Sequence, residues 1–255
     1  MKFSPIVELR QYTLLPGKRD VLIDLFESKL IETQEETAMK VIGTFRDLDD
    51  ENKFVWLRGF PSFDDRVRSL GEFYGGPIWR GNRETANATM VDSDDVLLLR
   101  PARAGSSFTL DAQRPPLDAP DSLDRGVVEA TILNLDGPAD ADTLAYFDEE
   151  IAPRVVGADN SVFACFVTEE RKNNFPVLPV REGEHVLVWF AGFADRAAYD
   201  AARAARCEVV RVAADSPRLT SQPHVVGLVP TRRSLLAGAA LGSRRAVHPV
   251  TRRDA

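Results

Sequence analysis

Histidine, cysteine and long apolar runs are what this chain of 255 residues has little of. Only His185, His224 and His248 can supply the usual general base near neutral pH, and His248 lies close to the end of the chain. Two cysteines, Cys165 and Cys207, cannot build a disulfide framework and do not form a metal-type spacing. Cys165 sits in an apolar strand and reads as an inert core thiol. Cys207 has Arg203, Arg206 and Arg211 nearby, a setting that lowers a thiol pKa, but no histidine at readable spacing to make it a nucleophile. No apolar stretch approaches the roughly 18–20 residues that a membrane-spanning helix requires. Met1-Lys-Phe-Ser-Pro5 enters a strand at once without a signal-peptide h-region, so the cytoplasm is the expected compartment. A basic excess is missing too: the net charge of -7 argues against nucleic acid, whose phosphates need a basic surface. Gly75-Gly-Pro77 lacks the strand and helix context of a phosphate loop, so no nucleotide site is expected. Neither a metal nor another cofactor is called for by any cluster.

What is present is alternation. In Ile6–Leu14, Val7 and Leu9 are apolar while Glu8, Arg10 and Tyr12 share the other face, and Pro16-Gly17 then stops the strand. A helix follows over about 18–36, with Val21, Leu22, Leu25, Phe26 and Leu30 at helical spacing. Strands at 41–46 and 54–60 flank a polar turn. Ser62 caps a second helix with Asp65 at the capping-box position, Pro77 interrupts it, and a shorter helix covers 79–87. A strand at 95–100 closes at Pro101. This order is βαββαβ, the ferredoxin-like unit, in about a hundred residues.

The pattern then recurs. Residues 102–124 read as a linker threaded over the surface, poor in large apolar side chains. Val127–Leu133 resembles the opening strand, with Glu129 standing where Glu8 stands. Val55-Trp-Leu-Arg-Gly-Phe60 lies over Val188-Trp-Phe-Ala-Gly-Phe193, and Val96–Pro101 over Val225–Pro230. The expected organisation is therefore unit 1–101, linker 102–124, a diverged unit 125–230 and a basic tail 231–255. The tail reads as a short helix and a frayed end. Its Arg232-Arg-Ser-Leu-Leu-Ala237 is unlike a true twin-arginine signal, which sits at an N-terminus.

Glu-Leu-Arg-x-Tyr-x-Leu-x-Pro-Gly (Glu8 to Gly17), Val-Trp-x-x-x-Phe-x-Ser-Phe-x-x-Arg (Val55 to Arg66) and Leu-Arg-Pro (Leu99 to Pro101) resemble the NIPSNAP family. The second half resembles it weakly, with Thr131 and Leu133 where Arg10 and Tyr12 stand. The resemblance implies the dimeric α/β-barrel superfamily, in which two ferredoxin-like units pair sheet against sheet. The fold expected is thus α+β, two tandem units pairing as an internal dimeric α/β barrel. Relatives in that superfamily include cofactor-free monooxygenases, isomerases and dehydratases, so the fold does not choose a reaction.

Candidate site residues follow from strand parity. Glu8, Arg10 and Tyr12 share a face of the first strand, and Trp56, Arg58 and Phe60 share a face of the third. If the strands are neighbours, a carboxylate, two guanidiniums and an aromatic wall converge, suited to an anionic or planar ligand. The same groups would also serve as an ion-paired seam. His185 and His224 would join Glu129 and Trp189 in the second half if their strand ends meet. Tyr74, Trp79 and Arg80 flank the Gly75-Gly76-Pro77 break and could form a pocket lid. Two functions are open: a small-molecule site for a hydrophobic or aromatic metabolite, or a non-catalytic scaffold that forms homo-oligomers or docks a partner.

Overall fold

The computed structural model describes residues 5–110, 113–120, 125–156 and 161–237. Among the described residues nine strands are present: β1 (Ile6–Leu14), β2 (Lys40–Asp47), β3 (Lys53–Phe60), β4 (Met90–Asp92), β5 (Val96–Pro101), β6 (Val127–Leu135), β7 (Ser161–Thr168), β8 (His185–Phe193) and β9 (His224–Pro230). Eight of them close into a ring in the order β3-β2-β9-β6-β8-β7-β5-β1, with β1 returning to β3, and every pairing is antiparallel. The short β4 hangs on the end of β1 at Thr13 and Leu14. Closure leaves the ring without an unpaired edge.

Strand parity explains the layering. Val7, Leu9, Val55, Leu57, Leu97 and Leu99 point inward and meet Val128, Ala130, Val188 and Phe190 from the opposite side, filling the barrel with apolar side chains. The outward faces are covered by helices. α1 (Arg19–Leu25), a wide π-helical turn (Phe26–Leu30), α2 (Ile31–Glu35), α3 (Phe63–Gly75) and α4 (Pro77–Asn87) cover β1, β2, β3 and β5. α5 (Ala141–Tyr146), a second π-helical turn (Phe147–Ile151), α6 (Ala152–Val156), α7 (Arg196–Ala201) and α8 (Arg203–Ala214) cover the others.

Local chemistry sets the element ends. Gly17, at φ +72°, takes the left-handed conformation that turns β1 toward α1. Ser62 Oγ accepts from the Asp65 backbone N–H at 3.0 Å and donates to the Asp65 carboxylate at 2.8 Å, an N-cap that starts α3. Pro77 begins α4, where its missing N–H costs nothing. Asp195 caps α7 in the second half by accepting from Ala198 N.

Two expectations need correction. The connection after β5 is not confined to the surface: Phe108 is 1% exposed and packs on Phe166 and Phe190 inside the barrel, and Leu110 is also buried. A large apolar side chain gains more from filling the barrel mouth than a Pro-rich context suggests. The start of the basic tail is likewise built in. Leu235 and Leu236 join the barrel core, and the buried Glu27 carboxylate accepts from Thr231 Oγ1, Arg233 N and Arg232 Nε. Arg233 also pairs with Glu32. The remaining tail, 238–255, lies outside the described residues. Among the described residues no helix is long and apolar enough to cross a membrane.

Candidate functional site: a carboxylate among three buried arginines

β1 and β3 are neighbours, with Glu8 opposite Arg58, Arg10 opposite Trp56 and Tyr12 opposite Phe54. Directly opposed residues present their side chains on the same face, here the one beneath α1–α4. Glu8 is completely buried. Its Oε2 accepts from Arg10 Nη1 at 2.7 Å and Arg58 Nε at 2.8 Å, and its Oε1 accepts from Arg66 Nε at 2.7 Å. Arg66 comes from α3, so sheet and helix are fastened through one carboxylate. Three guanidiniums hold the Glu8 carboxyl far below the usual carboxylate range although burial opposes them. Glu8 also raises Arg10 above an ordinary guanidinium, as does Tyr12.

Charge does not balance here. Among the described residues Glu8 is the ion-pair acceptor of Arg10, Arg58 and Arg66 alike. One negative charge thus faces three positive ones, all buried, leaving a surplus of two. Aromatic faces offset part of this cost: Arg10 lies 5.5 Å and Arg58 5.1 Å from the Trp56 ring, and Arg66 lies 5.9 Å from Phe60.

Against this cluster lies an apolar recess with about 30 Å³ of enclosed space, or about 330 Å³ counting its open mouth, lined in part by Tyr12, Phe26, Trp56, Tyr74, Trp79 and Ala86. Tyr12 and Trp56 form its floor from the strands. Phe26, in the π-helical turn, meets Trp56 edge-on at 4.8 Å. Tyr74 and Trp79, on either side of the break at Gly76 and Pro77, form a T-shaped pair 5.0 Å apart at the rim. The indole Nε1 of Trp56 is buried without a hydrogen-bond partner, an uncommon condition for a native core donor.

The connection between β7 and β8, residues 169–184, crosses over to this first-half site. Asn173 and Asn174 accept from Arg66 Nη1 at 3.0 and 2.6 Å, and Asn174 Nδ2 donates to Phe63 O. Phe175 stacks on Tyr74 at 6.4 Å, and Leu178 and Val180 pack against the same apolar cluster.

The second half does not repeat the cluster. Glu129 faces Ala191 across the strands where Glu8 faces Arg58. Its ion-pair partner is Arg206 of α8, 2.8 Å away, whose guanidinium lies over Tyr199 at 3.7 Å. Burial pushes the Glu129 carboxyl up to about 7, against the pull of Arg206. Trp189 is core, packed on Phe147. The expected His–carboxylate set is not assembled. His185 opposes Leu135, six residues along β6 from Glu129, about 20 Å at strand rise, and it pairs with Glu170 at 3.2 Å. His224 opposes Ile132, whose side chain points into the barrel, away from the Glu129 face. Cys165 is buried, which pushes its thiol up to about 12, whereas Cys207 is exposed.

Of the candidates, the structure brings Glu8, Arg10, Tyr12, Trp56, Arg58, Phe60 and Trp79 together. Sequence parity missed Arg66, Gln34 and the two asparagines. Arg66 closes the Val55–Arg66 motif, and that was its one available signal.

Geometry and comparison agree on the class of protein: an α/β chain whose closed antiparallel eight-stranded barrel is sheathed in helices. Residues 7–104 match the family model NIPSNAP, so the first half of the chain carries a NIPSNAP domain. A proposed monooxygenase of Fusobacterium nucleatum subsp. nucleatum ATCC 25586 is similar in structure, at TM-score 0.56 and 9% identity over 93% of this chain and 97% of that one. Another proposed monooxygenase, from Lactobacillus acidophilus NCFM, gives TM-score 0.53 and 16% identity over 92% and 98%. An anthrone oxidase-like protein gives 0.52 and 12% over 96% of each chain. At these identities the likeness is one of fold. No curated protein matches the sequence.

Proposed function

We propose that the chain is a fused pair of ferredoxin-like units, about 1–101 and 125–230, whose first unit binds a small hydrophobic or aromatic metabolite between sheet and helices. The strand order supports the pairing: β2-β3-β1-β5 in one half and β7-β8-β6-β9 in the other. The observation that carries the binding reading is the aromatic recess whose floor, Tyr12 and Trp56, rests on the Glu8 cluster. Apolar walls with a few convergent polar groups are the usual composition of a small-molecule site. Fold neighbours called monooxygenases and oxidase-like put oxygenation of a planar aromatic first among the reactions to try.

The test is a panel of neutral planar aromatics scored by the shift in melting temperature of the full chain. A recess that binds one of them raises the melting temperature by mass action. Ala86→Phe, which narrows the recess at the α4 wall, abolishes that shift. A shift that survives in Ala86→Phe would place the ligand elsewhere.

A further inference from the structure

Resting on that reading, the hydrogen-bond inventory of the recess specifies the charge of its ligand. Four polar side chains of the lining face the arginine cluster or lie unused. Tyr12 Oη accepts from Arg10 Nε at 2.9 Å, and Tyr74 Oη accepts from Arg58 Nη1 at 3.5 Å. A phenol that already accepts keeps its own proton to donate. Trp56 Nε1, a donor only, has no partner. Gln34 is committed on both sides, donating to Leu30 O and accepting from Arg58 Nη1. The lining side chains therefore offer a ligand more free donors than free acceptors. Directly behind them stands the surplus of two buried positive charges. Arg10 lies 5.4 Å from the Tyr12 ring, and Arg58 lies 5.9 Å from the Tyr74 ring. The second half shows the contrast: Glu129 with Arg206 is a neutral pair, and Trp189 there is packed core.

We propose that the first-half recess takes a planar aromatic carboxylate, its anionic oxygens received by Tyr12, Tyr74 and Trp56 and its charge balanced by Arg10 and Arg58 behind them. Donors polarised by a guanidinium bind an anion more strongly than a neutral amide, because each hydrogen bond is charge-assisted. The low-dielectric surroundings strengthen that effect.

Calorimetric titration of the full chain with benzoate and with benzamide, equal in shape and different in charge, tests this. Benzoate binds about 10-fold or more tightly than benzamide, roughly one decade for each 1.4 kcal/mol of charge preference. Arg10→Met lowers the ratio of benzoate to benzamide affinity, and Tyr12→Phe weakens benzoate more than benzamide. Should Arg10→Met fail to fold, the wild-type pair of ligands decides by itself. Equal affinities, or failure of benzoate where a neutral member of the panel binds, would overturn the charge assignment and leave the recess reading standing. Silence from benzoate, benzamide and the whole neutral panel would overturn both.

Discussion

At the residue scale the chemistry concentrates on Glu8. Removing the only carboxylate from among three buried guanidiniums leaves uncompensated charge, so Glu8→Gln should destabilise the chain by about 3–5 kcal/mol in denaturant unfolding. Arg10→Met removes a surplus charge and should cost far less, because an apolar side chain of similar length fills the space beside Tyr12 and Trp56. The sign of the pH dependence follows from the lowered Glu8 pKa. A carboxylate depressed in the folded state contributes stability in full above its unfolded value of about 4.3 and loses it as pH falls toward the folded value. The gap between wild type and Glu8→Gln should therefore be constant near neutrality and shrink only below about pH 4. These residues were legible because a strand has a period of two. Glu8, Arg10, Trp56 and Arg58 could be assigned to one face from sequence alone, and neighbouring strands put them in contact.

At the element scale, parity says which face a residue takes but not how far along the strand its partner lies. His185 and Glu129 share the outward parity of their strands, yet His185 of β8 lies opposite Leu135, six residues along β6 from Glu129, so the histidine set fails on distance. Arg66 and Gln34 escaped because a helix period does not report which sheet residue lies beneath. Asn173 and Asn174 escaped because a polar loop carries no periodicity at all. The same limit hid the roles of the segments after β5 and β9. Both look polar or Pro-rich on average, and in both a few apolar side chains decide the outcome: Phe108 after β5, Leu235 and Leu236 after β9. Phe108→Ala should cost about 3–5 kcal/mol and Leu236→Ala about 2–5 kcal/mol, read by chemical denaturation. Values near zero would mean that these segments only lie over the barrel mouths. The wide helical turns at Phe26 and Phe147 set each phenylalanine against a strand tryptophan, Trp56 or Trp189. Such turns often accompany functional sites, and a recess lies beside the first.

At the scale of the whole molecule, one barrel carries two unlike outer faces. The first keeps a recess over a surplus of buried positive charge. The second spends its carboxylate on a neutral pair and fills the equivalent space, while its loop 169–184 reaches across to cover the first. A symmetric pair of units would have to keep both sites or lose both. On the proposed fusion of two units, one half is free to specialise in covering the recess of the other. The three tryptophans report on this division directly, since Trp56 and Trp79 line the recess and Trp189 is buried in the other half. Their indole N–H signals, resolved by nitrogen-15 NMR and assigned by single Trp→Phe variants, can be followed during titration with whichever planar ligand raises the melting temperature most. The account predicts that the Trp56 and Trp79 signals move together along one binding curve while Trp189 stays still. Movement of Trp189 alone, or of none of the three at saturating ligand, would contradict it.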